Sequence, residues 1–157
     1  MIEARRATPD DAPELVRLRG VMYASFDGDQ PPPRPWQDAA ERYLRTHLVA
    51  PDDSLAAFVV ARPGGLASCA VGSIEYRLAG PNNPSGMTGY VFNVATDPDA
   101  RRRGYGRACM VGLLDWYRRR GVTNGRPRTG SRSTRRSASS ARRTRRCACC
   151  SPHSGPR

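Results

Sequence analysis

The segment Tyr90–Ala108, YVFNVATDPDARRRGYGRA, constrains the fold more than any other part of the chain. An apolar run ends in Thr96-Asp97-Pro98, and Arg101, Arg102, Arg103 and Arg107 surround Gly104 and Gly106. Behind them Met110, Leu113, Leu114 and Tyr117 recur at helical spacing. The pattern predicts a strand, a tight loop and an amphipathic helix docked on a sheet. Such a loop turns backbone N–H groups toward one point at the positive end of a helix dipole, which makes an anion site fit for a pyrophosphate. Glycine lets the backbone approach the anion without Cβ interference, and guanidinium groups add charge-assisted hydrogen bonds. A Gly-Lys-Ser/Thr phosphate loop is excluded because the chain has no lysine. A dinucleotide fingerprint would need a third glycine and a downstream acid.

Periodicity and breakers order the preceding elements. Ile2 to Thr8 reads as a strand, and Thr8 then caps a helix with Pro9 at its first position and Leu15, Leu18 and Met22 on one face. Gly28 and the run Gln30–Pro35 break the chain. Trp36, Ala39, Ala40, Tyr43, Leu44, His47 and Leu48 then follow an amphipathic helical pattern, in which His47 reads as core cover rather than as a catalytic group. Leu55–Ala61 is a strand, and Pro63-Gly64-Gly65 is a turn. Ala67–Leu78 is a second strand, with Ile74, Tyr76 and Leu78 on one face and Glu75 and Arg77 on the other. After the loop Pro81–Gly86, Thr88–Thr96 is the strand that feeds the anion loop. The expected fold is α+β with a mixed sheet, in the order β-α-α-β-β-β-α over residues 1–121.

At 157 residues the chain is one domain by length. No stretch reaches the ~20 apolar residues of a membrane span, and Met1–Arg6 lacks the apolar run of a signal peptide, so a cytoplasmic, non-membrane protein is expected. Cys69 and Cys109 stand singly in apolar stretches, as small hydrophobes do. From Val122 onward there are ten arginines and no acid, so the tail carries +10 of the formal +12 and residues 1–121 carry +2. Residues 122–157 therefore read as an Arg/Ser-rich tail, disordered from about Gly125. That tail opens an alternative reading, a nucleic-acid-binding module acting by counterion release. A metal site at Cys147, Cys149, Cys150 and His153 is a third; Cys-x-Cys-Cys is not the paired spacing of a zinc fold, and no metal is expected.

The Arg-x-x-Gly-x-Gly run from Arg101 to Gly106, set between a strand and a helix, resembles the acetyl-coenzyme A motif of the GNAT superfamily of N-acetyltransferases. The order of elements up to Gly121 is similar to the first two-thirds of that fold. The resemblance implies a GNAT-like acyl-CoA N-acyltransferase fold and transfer of an acetyl group from acetyl-CoA to an amine of a small-molecule or peptide acceptor. It implies coenzyme contacts at Val94, Ala95 and Thr96 on the strand, and at Arg101, Arg102, Arg103, Gly104, Tyr105, Gly106, Arg107 and Ala108 beyond it. Main-chain amides of Val94–Thr96 would polarise the thioester carbonyl. Many relatives carry a glutamate where this chain has Phe92. The catalytic candidates are then Asn93, which could orient a water or the substrate, and Glu75, which reads as a surface partner of Arg77 before it reads as a base.

The family's Leu-Tyr-x-x-Leu-Gly-Phe helix, whose tyrosine supplies the acid, is missing after Gly121. Tyr105, in the loop, is badly placed to replace it. Read from the third base of each codon, Gly130–Ser140 can give G-L-A-L-Y-E-A-L-G-F-V, so the frame reads as shifted after about residue 122. The closing elements are then expected to be missing or disordered, the coenzyme cleft to lack one wall, and activity to be impaired.

Overall fold

The computed structural model describes residues 2–27, 35–122 and 124–127. Among these, one five-stranded sheet runs in the order β1 (Arg5–Arg6), β2 (Leu55–Arg62), β3 (Gly65–Tyr76), β4 (Met87–Thr96) and β5 (Asn124–Pro127). The first four strands are antiparallel, and β5 lies parallel to β4. Helices α1 (Ala12–Asp27), α2 (Trp36–His47) and α3 (Tyr105–Arg119) cover the sheet. The expected α+β class and its order of elements are both present.

Strand alternation sends side chains to two cores. Leu55, Ala57, Val59 and Val71 pack with Leu15, Leu18 and Leu44 of α1 and α2. Ala56, Phe58, Ala70, Ile74 and Val91 pack with Leu113, Trp116 and Tyr117 of α3. Because both faces of β2 are covered, Leu55 through Val60 are all buried, and the strand reads as a continuous apolar run. β2 and β3 join through a two-residue turn, with Arg62 opposite Gly65 and Gly64 at φ 83°.

Several sequence expectations shift. The chain enters α1 through a 3-10 turn at Pro9–Asp11, where Asp11 Oδ2 accepts the Thr8 backbone N–H at 2.8 Å. The buried stripe of α3 is Cys109, Leu113, Trp116 and Tyr117; Leu114 is outward and Met110 only half-buried. β3 stops at Tyr76, so Tyr76 and Leu78 are exposed and only Ile74 of that predicted face is buried. Tyr43 of α2 is also exposed, and His47 stacks on its ring at 3.9 Å while its Nδ1–H donates to Tyr43 O at 2.8 Å.

Asn124–Pro127 pair with Thr88–Val91 as a short parallel strand, which brings Gly125 into the sheet. The physical reason is that ladder hydrogen bonds use the main chain and are indifferent to the polar side chains attached to it. The rest of the Arg/Ser-rich segment, with Cys147, Cys149, Cys150 and His153, lies outside the described residues.

One irregularity matters for the site. Val71 pairs with Asn93 and Gly72 with Val91, so Phe92 has no partner on β3 and β4 carries a bulge there. Tyr117 holds it from the α3 side, donating its hydroxyl to Tyr90 O at 3.0 Å and Ser73 O at 3.2 Å. A Cβ on Gly72 would lie 2.1 Å from that hydroxyl, so only glycine admits it. Burial raises the Tyr117 pKa above its ordinary value, which keeps the donor proton in place. Tyr117→Phe is expected to cost about 1–2 kcal/mol, the scale for losing a buried hydrogen bond, read as a lower urea midpoint with unchanged slope.

Candidate functional site

The site is built on β4 and the connection to α3. At its end Asp97 is buried, its N–H donating to Ala67 O at 2.9 Å, and Pro98–Ala100 form a 3-10 turn. Arg102 follows at φ 60° and Gly104 at φ 82°, so the chain turns twice through the left-handed region before α3 starts at Tyr105. No side chain caps that helix N-terminus, which leaves first-turn N–H groups pointing out of the loop. Gly106 seats the helix against β4, where an added Cβ would lie 3.2 Å from Thr96 Oγ1. Thr96 Oγ1 in turn is 2.8 Å from Ser68 Oγ.

The electrostatics of the loop are sorted by partners. Asp97 is taken by Arg17 at 2.8 and 3.0 Å and by Arg62, and Asp99 by Arg62 at 2.7 and 2.9 Å. The bidentate Arg17 guanidinium, with Arg62 beside it, lowers the Asp97 pKa despite burial. Both local acids are thus neutralised by arginines from α1 and β2. Arg102, Arg103 and Arg107 are exposed and have no acidic partner among the described residues, while Arg101 Nε donates to Thr96 O at 3.3 Å. Uncapped helix amides, left-handed turns and unpaired guanidiniums together suit a phosphate-bearing group.

β4 offers a second set of donors. β5 covers its outer edge only over Thr88–Val91, so from Phe92 to Thr96 that edge has no strand partner among the described residues. Asp97 directs its amide to β3. By the alternation of an antiparallel ladder, Ala95 does the same, and Val94 and Thr96 turn their N–H groups to the open edge.

Two cavities are lined by successive residues of this strand. The first, of about 320 Å³, has apolar walls from Leu15, Ala40, Leu44 and Val71. Arg19, Tyr43, Phe92 and Asn93 complete its lining. The second, of about 310 Å³, lies between α1 and the end of β4, at Met22, Ser25, Val94, Ala95, Thr96 and Arg101. Asn93 is buried, its Nδ2 reaches only Cys69 Sγ at 3.7 Å, and its Oδ1 has no hydrogen-bond partner. Burial pushes the Cys69 thiol up to about 12, so that sulfur is an inert neighbour and not a nucleophile.

The structure therefore brings Asn93, Val94, Ala95, Thr96, Arg101 and the loop to one strand end. Glu75 stands apart: it lies four residues along β3 from Val71, ~13 Å away, and its Oε2 accepts Arg77 at 3.2 Å in an exposed pair. Tyr105 is half-buried against the α3 core. Sequence reading passed over Arg19, whose signal was present: it falls at i+4 from Leu15, a charge inside an apolar stripe. Among the described residues no cluster of three metal-ligating side chains occurs, and no helix is long and apolar enough to cross a membrane.

The sequence profile of the acetyltransferase (GNAT) family matches residues 21–125, and the chain belongs to that family. No curated protein matches it. Solved structures share its fold. A predicted acetyltransferase from Clostridium acetobutylicum, in a structure with acetyl-CoA, is 19% identical over 82% of this chain and 81% of its own, at a TM-score of 0.71. A GCN5-related N-acetyltransferase from Ralstonia eutropha is 23% identical over 81% and 82%, at 0.67. The aminoglycoside N-acetyltransferase AAC(6')-Iy, bound to a bisubstrate analogue, is 19% identical over 84% and 82%, at 0.61. At these identities the likeness is one of fold.

Proposed function

We propose that this enzyme transfers the acetyl group of acetyl-CoA to a primary amine, with the two substrates meeting at the β4 bulge. One observation carries the reading: adjacent residues of β4 serve two cavities, Asn93 the first and Val94–Thr96 the second. The pyrophosphate lies over Arg101–Gly106 and the first turn of α3 through Ala108, and the pantetheine arm runs along the open edge at Val94 and Thr96. Acetyl-CoA supplies an activated carbonyl: the acceptor ammonium loses one proton to water, its nitrogen bonds to the acetyl carbon as the C–S bond breaks, and the second amine proton goes to the departing thiolate. Asn93 Oδ1 accepts an N–H of the amine and orients it; an amide cannot take the proton. Water at the mouth of the cavity serves as base, with Glu75 too distant to do so.

A cosubstrate made inside cells supports a cytoplasmic location. The family match ends at residue 125, which supports a change of reading frame near that point; sequencing the coding DNA across it tests this. The function is tested by calorimetric titration of the full chain with coenzyme A and by thiol release from acetyl-CoA in the presence of amines. Saturable binding that weakens with salt, plus amine-dependent release, is the expected result. Absence of both removes the proposal. Retention of RNA that resists acetyl-CoA would favour the nucleic-acid reading of the tail.

A further inference from the structure

The first cavity is also informative about what it takes, given that the chain is an acetyltransferase of the kind proposed. Its one formal charge is the guanidinium of Arg19, and among the described residues no carboxylate lines it. Arg19 is held by neutral groups: Nη2 donates to Tyr23 Oη at 2.8 Å, and its carbon sits 5.1 Å from the Tyr23 ring centroid and 6.0 Å from that of Phe92. Trp36 packs edge-on against Tyr23 at 5.7 Å, which fixes the platform. Arg19 has no acidic partner among the described residues, although ten ion pairs occupy other charged groups of the chain. A half-buried guanidinium stacked on aromatic rings, with donors left over, is a receptor for a planar anion.

The second polar group is of opposite character. Asn93 is 97% buried, by its 3% exposure, and Oδ1 is the one buried side-chain acceptor left without a donor among the described residues. Leaving a buried carbonyl unpaired is costly, so its retention beside a cavity points to a donor that arrives with the ligand. A cavity whose lining combines a fixed cation, an orphan acceptor and apolar side chains is complementary to one class of molecule.

We propose that the acceptor is a primary amine that carries a carboxylate, an amino-acid-like acid, with its carboxylate on Arg19 and its amine on Asn93 Oδ1. The same arrangement rejects polycationic amines such as aminoglycosides, for which a cation is a repulsive element and no lining acid is present to compensate. The reaction releases the N-acetylated acid, which has lost its ammonium charge and kept its carboxylate, so Arg19 remains its one charge partner in the cavity.

The test uses the full chain and matched ligands: phenylalanine, phenylalaninamide, phenethylamine and kanamycin. Acceptor binding is measured calorimetrically with and without coenzyme A, and turnover by thiol release. The carboxylate-bearing amine is expected to lead its amide and its decarboxylated analogue by about 10-fold or more in binding and in kcat/KM, the scale of one charge-assisted hydrogen bond, with kanamycin weakest. In Arg19→Gln that ratio is expected to fall to about one. A ratio near one in the parent, a preference for kanamycin, or a ratio that survives Arg19→Gln overturns the proposal. Asn93→Leu provides an independent reading: relieved of an orphan acceptor, it is expected to melt no lower than the parent while binding of phenylalanine and of phenethylamine weakens. Unchanged amine binding in that variant removes the second half of the proposal. The two levels separate cleanly. Coenzyme binding without carboxylate preference sinks only the acceptor class, whereas carboxylate binding without any coenzyme binding sinks the transferase reading.

Discussion

Replacing Gly104 by valine is expected to weaken coenzyme A binding by about 100-fold while leaving the domain folded. Gly104 sits at φ 82°, in the left-handed region that costs an L-residue ~1–2 kcal/mol and a β-branched one more. Crowding alone is minor: the new Cβ would meet Ile2 Cδ1 at 3.3 Å, and Ile2 is exposed enough to move. The chain relieves the strain by rotating this peptide, and that rotation disperses the amides of Tyr105 and Gly106 from their common point. Two charge-assisted bonds to phosphate, each worth ~1.5–3 kcal/mol, are then lost or lengthened. About 3 kcal/mol corresponds to the stated factor. Calorimetry at fixed ionic strength reads the effect, and circular dichroism checks the fold. Binding within threefold of the parent would mean that the guanidiniums, not the main chain, hold the anion.

The loop between β4 and α3 was legible in sequence because its physics is local. Glycine at a turn, arginines around it and a periodic stripe behind it each report on a few neighbouring residues, and they agree. The same holds for the two-residue hairpin at Pro63-Gly64 and for the apolar run of β2. What escaped depends on contacts between distant segments. The bulge at Phe92 has no marker of its own; it exists because Gly72 lets the Tyr117 hydroxyl reach the carbonyls of Ser73 and Tyr90 across the sheet. Which side of α3 is buried was misjudged by one position for the same reason: Phe58 on β2 lies beneath Gly112, rolling Trp116 inward and Leu114 out. The cavity lined by Arg19 and Asn93 was half visible. Asn93 was read as an orienting group, whereas Arg19 was hidden in a helix judged only by Leu15, Leu18 and Met22. β5 escaped because composition predicts side-chain burial, and this strand is joined through its backbone.

Asp97→Ala is expected to destabilise the fold by about 3 kcal/mol, lowering the melting temperature by ~10 °C, and to remove part of the parent's acid sensitivity. The carboxylate side chain is 5% exposed and gathers Arg17 and Arg62, joining α1 and β2 to the start of the loop between β4 and α3. Deleting it takes one partner from each of two cations, but Arg17 keeps Glu14, Arg62 keeps Asp99, and their side chains are 40% and 35% exposed and can rehydrate, which places the cost at the lower end of the range for broken buried pairs. The pH dependence follows from the direction of the shift. Arg17 holds the Asp97 pKa below 3.8, so its contribution is complete above that value and is lost as pH falls through the depressed one. Asp11, Glu14 and Asp53 are also lowered, so the parent's acid limb is a sum. The difference between parent and variant isolates Asp97: it should be constant near neutrality and shrink below about pH 4, the two stability curves converging in acid. Urea unfolding at pH 7, 5, 4 and 3 measures it. A difference that stays flat to pH 3 would assign the loss to packing rather than to charge, and the arginines would then be ornaments of a turn held by its backbone.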